Sequence, residues 1–412
     1  MSAAVPADSP AATDTNGVRV VRRPVHDRSM QVVAYEVRHA GEATTVESPD
    51  LLLSMMVDLG FDRVAAGRDV VLRVSDDLVR RGDLANLPLE RIIVDVPPDW
   101  EPDDEVEALL GSARGSGLRI QVADPIAHPH LAGVADLADI IAVDVDGLDR
   151  EGRRERRRAL RRPGRLLLAT GVDDHDTHAD CAACRFDLFS GTVLSTPNIV
   201  AGRRVRSERA ALLNLLAIID DEDVSVDDIE LAVASNPALS FQVLRYVNSA
   251  FVGLRAEVDS VRRAIVLVGP PVLRQIASML LVAGDGERPG EANRLALVRA
   301  HMCALLGEAT GDPRPTYHTT GLLSAVDLLT GVALADALAD LPLTAEVVDA
   351  LLRHEGHLGR ILAAVRAYEQ ADWDADALRA FDDAVLAESY VRAIGWADER
   401  LDADVAQALG AA

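Results

Sequence analysis

The feature that most constrains this chain is a change of pattern near residue 200. Before Pro197, short β-rich runs alternate with helical segments; from Ser207 onward no convincing strand remains. Candidate strands fall at residues 18–22, 31–37, 70–74, 91–96, 118–123, 140–143, 166–169 and 186–193. Several are unbroken apolar runs, such as Ile92-Ile93-Val94 and Leu166-Leu167-Leu168. Such runs suit parallel strands buried on both faces. Helical segments lie between them, among them 49–59 and 103–116. About eight strands in fewer than ~200 residues point to a compact (β/α) barrel.

The second half carries helix punctuation. Ser225-Val226-Asp227-Asp228 resembles a capping box, and Asn236-Pro237 sets a cap before a proline at the first helical position. Leu239, Val243, Leu244 and Val247 then share one helical face. Gly269-Pro270-Pro271 ends one helix and begins another, with further breaks near 284–290, 311–315 and Pro342. The expected fold class is therefore α/β then all-α. Residues 1–17 form a disordered tail, 18–203 a barrel and 204–412 a helical domain.

Composition narrows the function classes. The 412 residues are 49% apolar, enough for two cores. No run of ~18 uncharged apolar residues occurs, so no membrane-spanning helix is expected. Residues 1–17 lack a basic start and an apolar stretch, so they do not read as a signal peptide. Three cysteines make no disulfide framework and favour a reducing cytoplasm. A net charge of −24 disfavours nucleic acid and anionic membrane as partners. Residues 150–165 run the other way, with Arg153, Arg154, Arg156, Arg157, Arg158, Arg161 and Arg162. They read as a solvated arginine-rich helix relieved by Glu151 and Glu155, with a site for an anionic partner as the alternative. The chain contains no lysine, which excludes chemistry that needs a lysine amine.

Arg23-Pro24-Val25-His26-Asp27-Arg28, then Val33-Ala34-Tyr35-Glu36, and at the other end Phe186-Asp187-Leu188-Phe189-Ser190-Gly191, then Pro197, look like the opening and the close of EAL domains, which the first half therefore resembles. The resemblance spans about 18 to 200. It implies a barrel of the kind that hydrolyses cyclic di-GMP with two divalent metals, which needs several carboxylates and an amide to hold hard cations. Matched position by position, Glu36 is the name-motif glutamate, followed by Val37-Arg38, and the next expected arginine is Ala40. The third-strand asparagine falls at Arg73, where a cation would repel metals. The next glutamate becomes Asp95, and the paired aspartates become Ala123-Asp124. The sixth-strand lysine becomes Ala142, the seventh-strand glutamate Thr170, and the closing glutamine Ser190. Four carboxylates survive: Glu36, Asp95, Asp124 and Asp144. The resemblance thus implies a degenerate EAL site without catalysis, metal or cofactor, with those four acids as the candidate remnant ligand-binding residues. EAL barrels often pair through the loop after the fifth strand. Here that loop, Asp124-Pro125-Ile126-Ala127-His128-Pro129, departs from the family pattern, which leaves a homo-oligomer open.

His175, His178, Cys181 and Cys184 follow one another at i,i+3 spacing. Two histidines and two cysteines could bind zinc, but four ligands along ~14 Å of straight helix cannot converge on one ion. Buried cysteines with surface histidines are expected.

The second half resembles an HDOD domain. Ala234-Ser235-Asn236-Pro237-Ala238-Leu239, then the string from Val243 to Phe251, then Val261 to Gly269 carry the match. Gly321 to Asp327 and Tyr368-Glu369-Gln370-Ala371-Asp372-Trp373 resemble EAL–HDOD tandem signalling proteins in particular. HD phosphohydrolases need an adjacent His-Asp pair and further histidines. The helical half has no such dipeptide; His301, His318, His354 and His357 are scattered, and Ser324-Ala325-Val326-Asp327 stands where the dipeptide would be. His354 and His357 are expected on a helix surface. Asn248, Ser249 and Phe251 form a polar–aromatic corner, either packed internally or facing a partner groove.

The resulting expectation is a non-catalytic, cytoplasmic signalling regulator or adaptor that acts on other signalling proteins. Two alternatives are a cyclic di-GMP receptor that binds without hydrolysis and a hydrolase with an unrecognised site.

Overall fold

A computed structural model describes residues 20–39, 65–74, 76–82, 84, 89–199, 207–221, 224–234, 261–283, 290–312, 314–339, 341 and 343–410. The expected tail, the boundary at 203, the 49–59 segment, the Asn236-Pro237 helix start and the Asn248–Ser249–Phe251 corner lie outside these residues.

Eight strands close into a barrel in sequence order. They are β1 (Val20–Asp27), β2 (Val32–His39), β3 (Asp69–Arg73), β4 (Ile92–Val96), β5 (Arg119–Ala123), β6 (Ile140–Asp144), β7 (Leu166–Thr170) and β8 (Leu188–Ser190). β1 runs antiparallel to both neighbours and the other pairs are parallel. Every residue of β4 is buried, which explains its apolar sequence: Val25, Ala34, Val71, Ile93, Ile140 and Leu168 fill the interior, while alternate residues such as Ile92 and Val94 pack outward under helices. Each such side chain contributes roughly 1.5–3 kcal/mol when fully buried. The helices are α1 (Asp76–Arg80), α2 (Asp104–Gly115), α3 (Ala132–Ala135), α4 (Arg150–Leu160) and α5 (His175–Ala183). Aspartates cap the longer ones: Asp103, Asp149 and Asp174 each accept a bond from a first-turn N–H.

The strand expected at 18–22 extends on to Asp27, through Pro24. Pairing with β8 begins only at Val25, so the proline lies at an edge and interrupts no ladder with β8. The last strand is shorter than expected, because the chain turns at Gly191 against the Val172 backbone. A Cβ on Gly191 would sit 2.2 Å from the Val172 carbonyl oxygen.

The remainder of the described chain is helical: α6 (Ser207–Ile219), α7 (Val226–Ala234), α8 (Val261–Ala283), α9 (Gly290–Ala309), α10 (Thr316–Leu323), α11 (Val326–Thr330), α12 (Leu334–Leu338), α13 (Ala345–Arg353), α14 (Gly356–Glu369) and α15 (Asp383–Gly410). The Asp228 N–H donates to Ser225 Oγ and the Ser225 N–H to Asp228 Oδ2, at 3.2 and 3.1 Å, closing the expected capping box. Gly269, at φ 73° and ψ 167°, breaks α8 before its two prolines. α9 runs through the centre, burying Ala292, Ala296, Leu297, Met302 and Leu306 among others. No helix among the described residues is long and apolar enough to cross a membrane.

The two halves meet along β1. Val21 belongs to the helical core rather than the barrel core. The Tyr368 hydroxyl accepts from the Val20 N–H and donates to the Val20 carbonyl, both at 3.0 Å. Arg22 pairs with Asp398 at 3.2 Å and lies 4.5 Å over the Tyr35 ring, whose hydroxyl donates to Glu291 at 2.7 Å. Burial works against the Arg22 charge, but Tyr35, Asp398 and Glu291 outweigh it and hold its pKa above the usual value. The motif that resembles tandem proteins, which opens at Tyr368, therefore sits on this seam.

Candidate functional site

The barrel mouth lies where β2 to β7 end, the face at which β/α barrels present side chains from several strands. Glu36 points up from β2 and Asp95 from β4. Arg38 donates two bonds to Glu36 Oε1, at 3.0 and 2.9 Å. The Ser190 hydroxyl lies 3.5 Å from the other oxygen. Asp95 is buried, accepts a 2.8 Å bond from Gln121 Nε2, and has the Arg73 guanidinium at 3.6 Å. Burial, and then the nearby charge of Glu36, push the Asp95 carboxyl up to about 6.

Of the four candidate acids, Glu36 and Asp95 lie close enough for the charge of Glu36 to act on Asp95. Asp124, just past β5, is buried, bonded to Arg156 of α4 at 2.8 Å, and accepts from the Ile126 N–H. Asp144 stays exposed at the end of β6 and accepts from the Asp146 N–H at 3.1 Å. Two divalent metals do not fit these residues. Arg38 and Arg73 already occupy the Glu36–Asp95 pair, and among the described residues no group of three or more His, Cys, Asp or Glu side chains could hold a metal ion. Gln121 is the mouth residue that sequence reasoning missed. Its signal was a single amide at an otherwise apolar position of β5.

In the bundle, Ser324-Ala325-Val326-Asp327 stands where the HD resemblance would place the His-Asp dipeptide. The buried Arg299 reaches this segment: Nη1 donates to Ser324 Oγ and to the Ser324 carbonyl, each at 3.1 Å, and Nη2 pairs with Glu369 at 2.9 Å. Burial raises the pKa of neighbouring Asp327. His354 is exposed in a left-handed cap, as expected of a surface histidine, whereas His357 is half-buried with Nδ1 2.5 Å from the Tyr317 hydroxyl.

The i,i+3 stripe is buried more deeply than expected. Cys181 and Cys184 are buried, and burial pushes the Cys181 thiol up to about 11. The expected surface position fails for His178. It is buried, with ring centroids 4.6 Å from Phe189 and 5.3 Å from His26, because those rings offer it an apolar slot under the sheet. His175 reaches the Thr196 carbonyl at 3.0 Å. The arginine-rich helix is solvated only in part: Arg154, in contact with Glu151 at 3.8 Å, and Arg158 are exposed, whereas Arg153, Arg156 and Arg157 are half-buried because that side of the helix faces the barrel.

Residues 209–353 match the HDOD domain model, directly after the closed barrel. The chain is a tandem of a closed eight-stranded barrel and an HDOD domain. The tandem is 24% identical over 411 residues to the uncharacterized protein YuxH of Bacillus subtilis (strain 168), across 94% of this chain and 99% of that protein. It is 27% identical over 369 residues to the cyclic di-GMP phosphodiesterase CdgJ of Vibrio cholerae serotype O1, across 86% of this chain and 85% of that one. The solved EAL domain protein from Listeria monocytogenes EGD-e overlays 44% of the tandem and 88% of its own length, at 15% identity and a TM-score of 0.32.

Proposed function

We propose that this tandem takes part in cyclic di-GMP signalling as a non-hydrolysing regulator that acts on other signalling proteins in the cytoplasm. The observation that carries this reading is the state of the mouth. Glu36 and Asp95, the acids best placed to hold a cation, are engaged by Arg38, Arg73 and Gln121. A lysine beside an attacking water is excluded by composition. CdgJ is named a phosphodiesterase; the reading here separates the signalling context, which that relative supports, from the chemistry. Regulation without turnover requires a ligand or partner that prefers one arrangement of the two domains, and the seam along β1 is where such a preference would register. Titration of the full chain with Mn²⁺ tests the reading. No saturable heat is expected; saturable binding that Glu36→Ala removes would overturn it.

A second reading is a nucleotide receptor with Glu36, Asp95, Asp124 and Asp144 as its remnant site; the observation that favours a receptor lies beside those acids, none of which lines it. A cavity of about 90 Å³ lies between the mouth and the bundle, lined by Arg23, Arg294, Arg299, Arg366, Glu291 and Glu369 among others. Burial lowers the pKa of both Arg23 and Arg366, aided by the nearby Arg38 and Arg299 charges respectively. An anion would relieve both. Calorimetry with cyclic di-GMP separates the readings: saturable micromolar binding supports the receptor, and no binding leaves the adaptor.

A further inference from the structure

The far end of the barrel, opposite the mouth, carries a second cluster of arginines. Arg28 follows β1, Arg157 and Arg161 come from the end of α4, and Arg185 precedes β8. With Leu167 and Asp187 they line a cavity of about 410 Å³. We propose that this cavity binds a compact phosphate-rich anion, the di- or triphosphate group of a small molecule.

Several arginines in and beside α4 are already engaged. Arg154 contacts Glu151, Arg156 bonds Asp124, Arg162 bonds Asp136, and Arg165 donates to the Ala135 and Ala138 carbonyls. The side chains of Arg157, Arg161 and Arg185 make no ion pair or hydrogen bond among the described residues. Arg157 Nε is buried without a partner. Buried donors are paired in nearly all native structures, so Arg157 Nε, like Arg153 Nε one turn before it, is left without an acceptor. Arg157 and Arg161 stand one turn apart, where like charges repel. Both stand at the negative end of α4, which favours a cation there by up to ~1 kcal/mol, but neither side chain bonds a terminal carbonyl.

The remaining residues give the cluster its shape. Arg28 is held by three bonds, Nε to the Phe186 carbonyl at 2.6 Å and Nη2 to the Arg185 carbonyl at 3.0 Å and to Asp187 at 2.9 Å. Asp187 also accepts from the Leu167 N–H at 3.1 Å, so it neutralises Arg28 and is spent. Arg185 adopts φ 65° as the left-handed residue that ends α5, with its N–H on the Ala182 carbonyl and the Phe186 N–H on the Cys181 carbonyl. Three uncommitted guanidinium groups around one concavity, in a chain of net charge −24, make a local positive well. Guanidinium forks match phosphate oxygens two at a time. The concave shape favours a compact group over an extended nucleic-acid backbone.

Calorimetry on the full chain with inorganic pyrophosphate and with tripolyphosphate tests the proposal, with ATP as a third arm. Saturable one-site binding that weakens as NaCl rises is expected. Arg161→Gln combined with Arg185→Gln should weaken it at least tenfold. Both residues are exposed, so an unchanged thermal melt is expected to confirm the fold. Glu36→Ala, at the other end of the barrel, should leave the affinity unaltered, so failure here and failure of the mouth reading are distinguishable. ATP binding far tighter than tripolyphosphate identifies a nucleotide as the source of the phosphates; equal affinities identify the phosphate chain alone. No saturable binding to any of the three overturns the proposal. So does a double variant that binds like the parent, or binding confined to a duplex oligonucleotide.

Discussion

Arginine meets carboxylate once at the barrel mouth and once inside the bundle. At the mouth, Arg73 lies 3.6 Å from Asp95 with its side chain 48% exposed. In the bundle, Arg299 lies 2.9 Å from Glu369 with both side chains below 10% exposed. Depth separates the two. At the mouth Asp95 is buried but Arg73 stands half in solvent, so water screens the pair and discounts it to about 0–1 kcal/mol; the mouth arginine is replaceable by a ligand or partner. A buried pair cannot lose one member without stranding the other charge, so the bundle arginine is structural. On this account the barrel keeps an adjustable surface and the bundle is a fixed support.

The comparison can be broken most readily in the bundle. Glu369→Ala strands Arg299 and should lower stability by about 3–5 kcal/mol in urea denaturation; a loss below ~1 kcal/mol would remove the distinction in depth. Asp95 supplies the next effect, of opposite sign. Its folded-state pKa, about 6 against an ordinary 3.8, means the folded chain holds the proton more tightly than the unfolded one. The ionised form therefore costs stability. That cost is absent below pH ~4 and complete above pH ~6. Asp95→Asn should stabilise the protein at pH 8 by on the order of 2–3 kcal/mol and do nothing at pH 4. A flat pH response would show the carboxylate to be fully compensated. Smallest of the three, Arg73→Gln should change stability by less than ~1 kcal/mol, and a larger loss would make the mouth pair structural after all.

Much of the barrel was legible because parallel strands covered on both faces must be apolar throughout, as Ile92-Ile93-Val94 and Leu166-Leu167-Leu168 are. The capping box at Ser225 and the break at Gly269 were legible because both are local. Arg73 stood out through the resemblance. What stayed hidden depends on partners distant in sequence. The Tyr368 hydroxyl bonds Val20 across 348 residues. Arg156 of α4 reaches back to Asp124, removing one of four expected mouth acids. His178 is buried against His26 and Phe189, which no i,i+3 pattern on its own helix reveals.

The central claim concerns chemistry, and turnover addresses it most directly. Purified full-length protein incubated with cyclic di-GMP and either Mg²⁺ or Mn²⁺, with products resolved by chromatography, should show no cleavage above a no-protein control. Clear cleavage that Glu36→Ala abolishes would contradict the account and restore the mouth as a working active site.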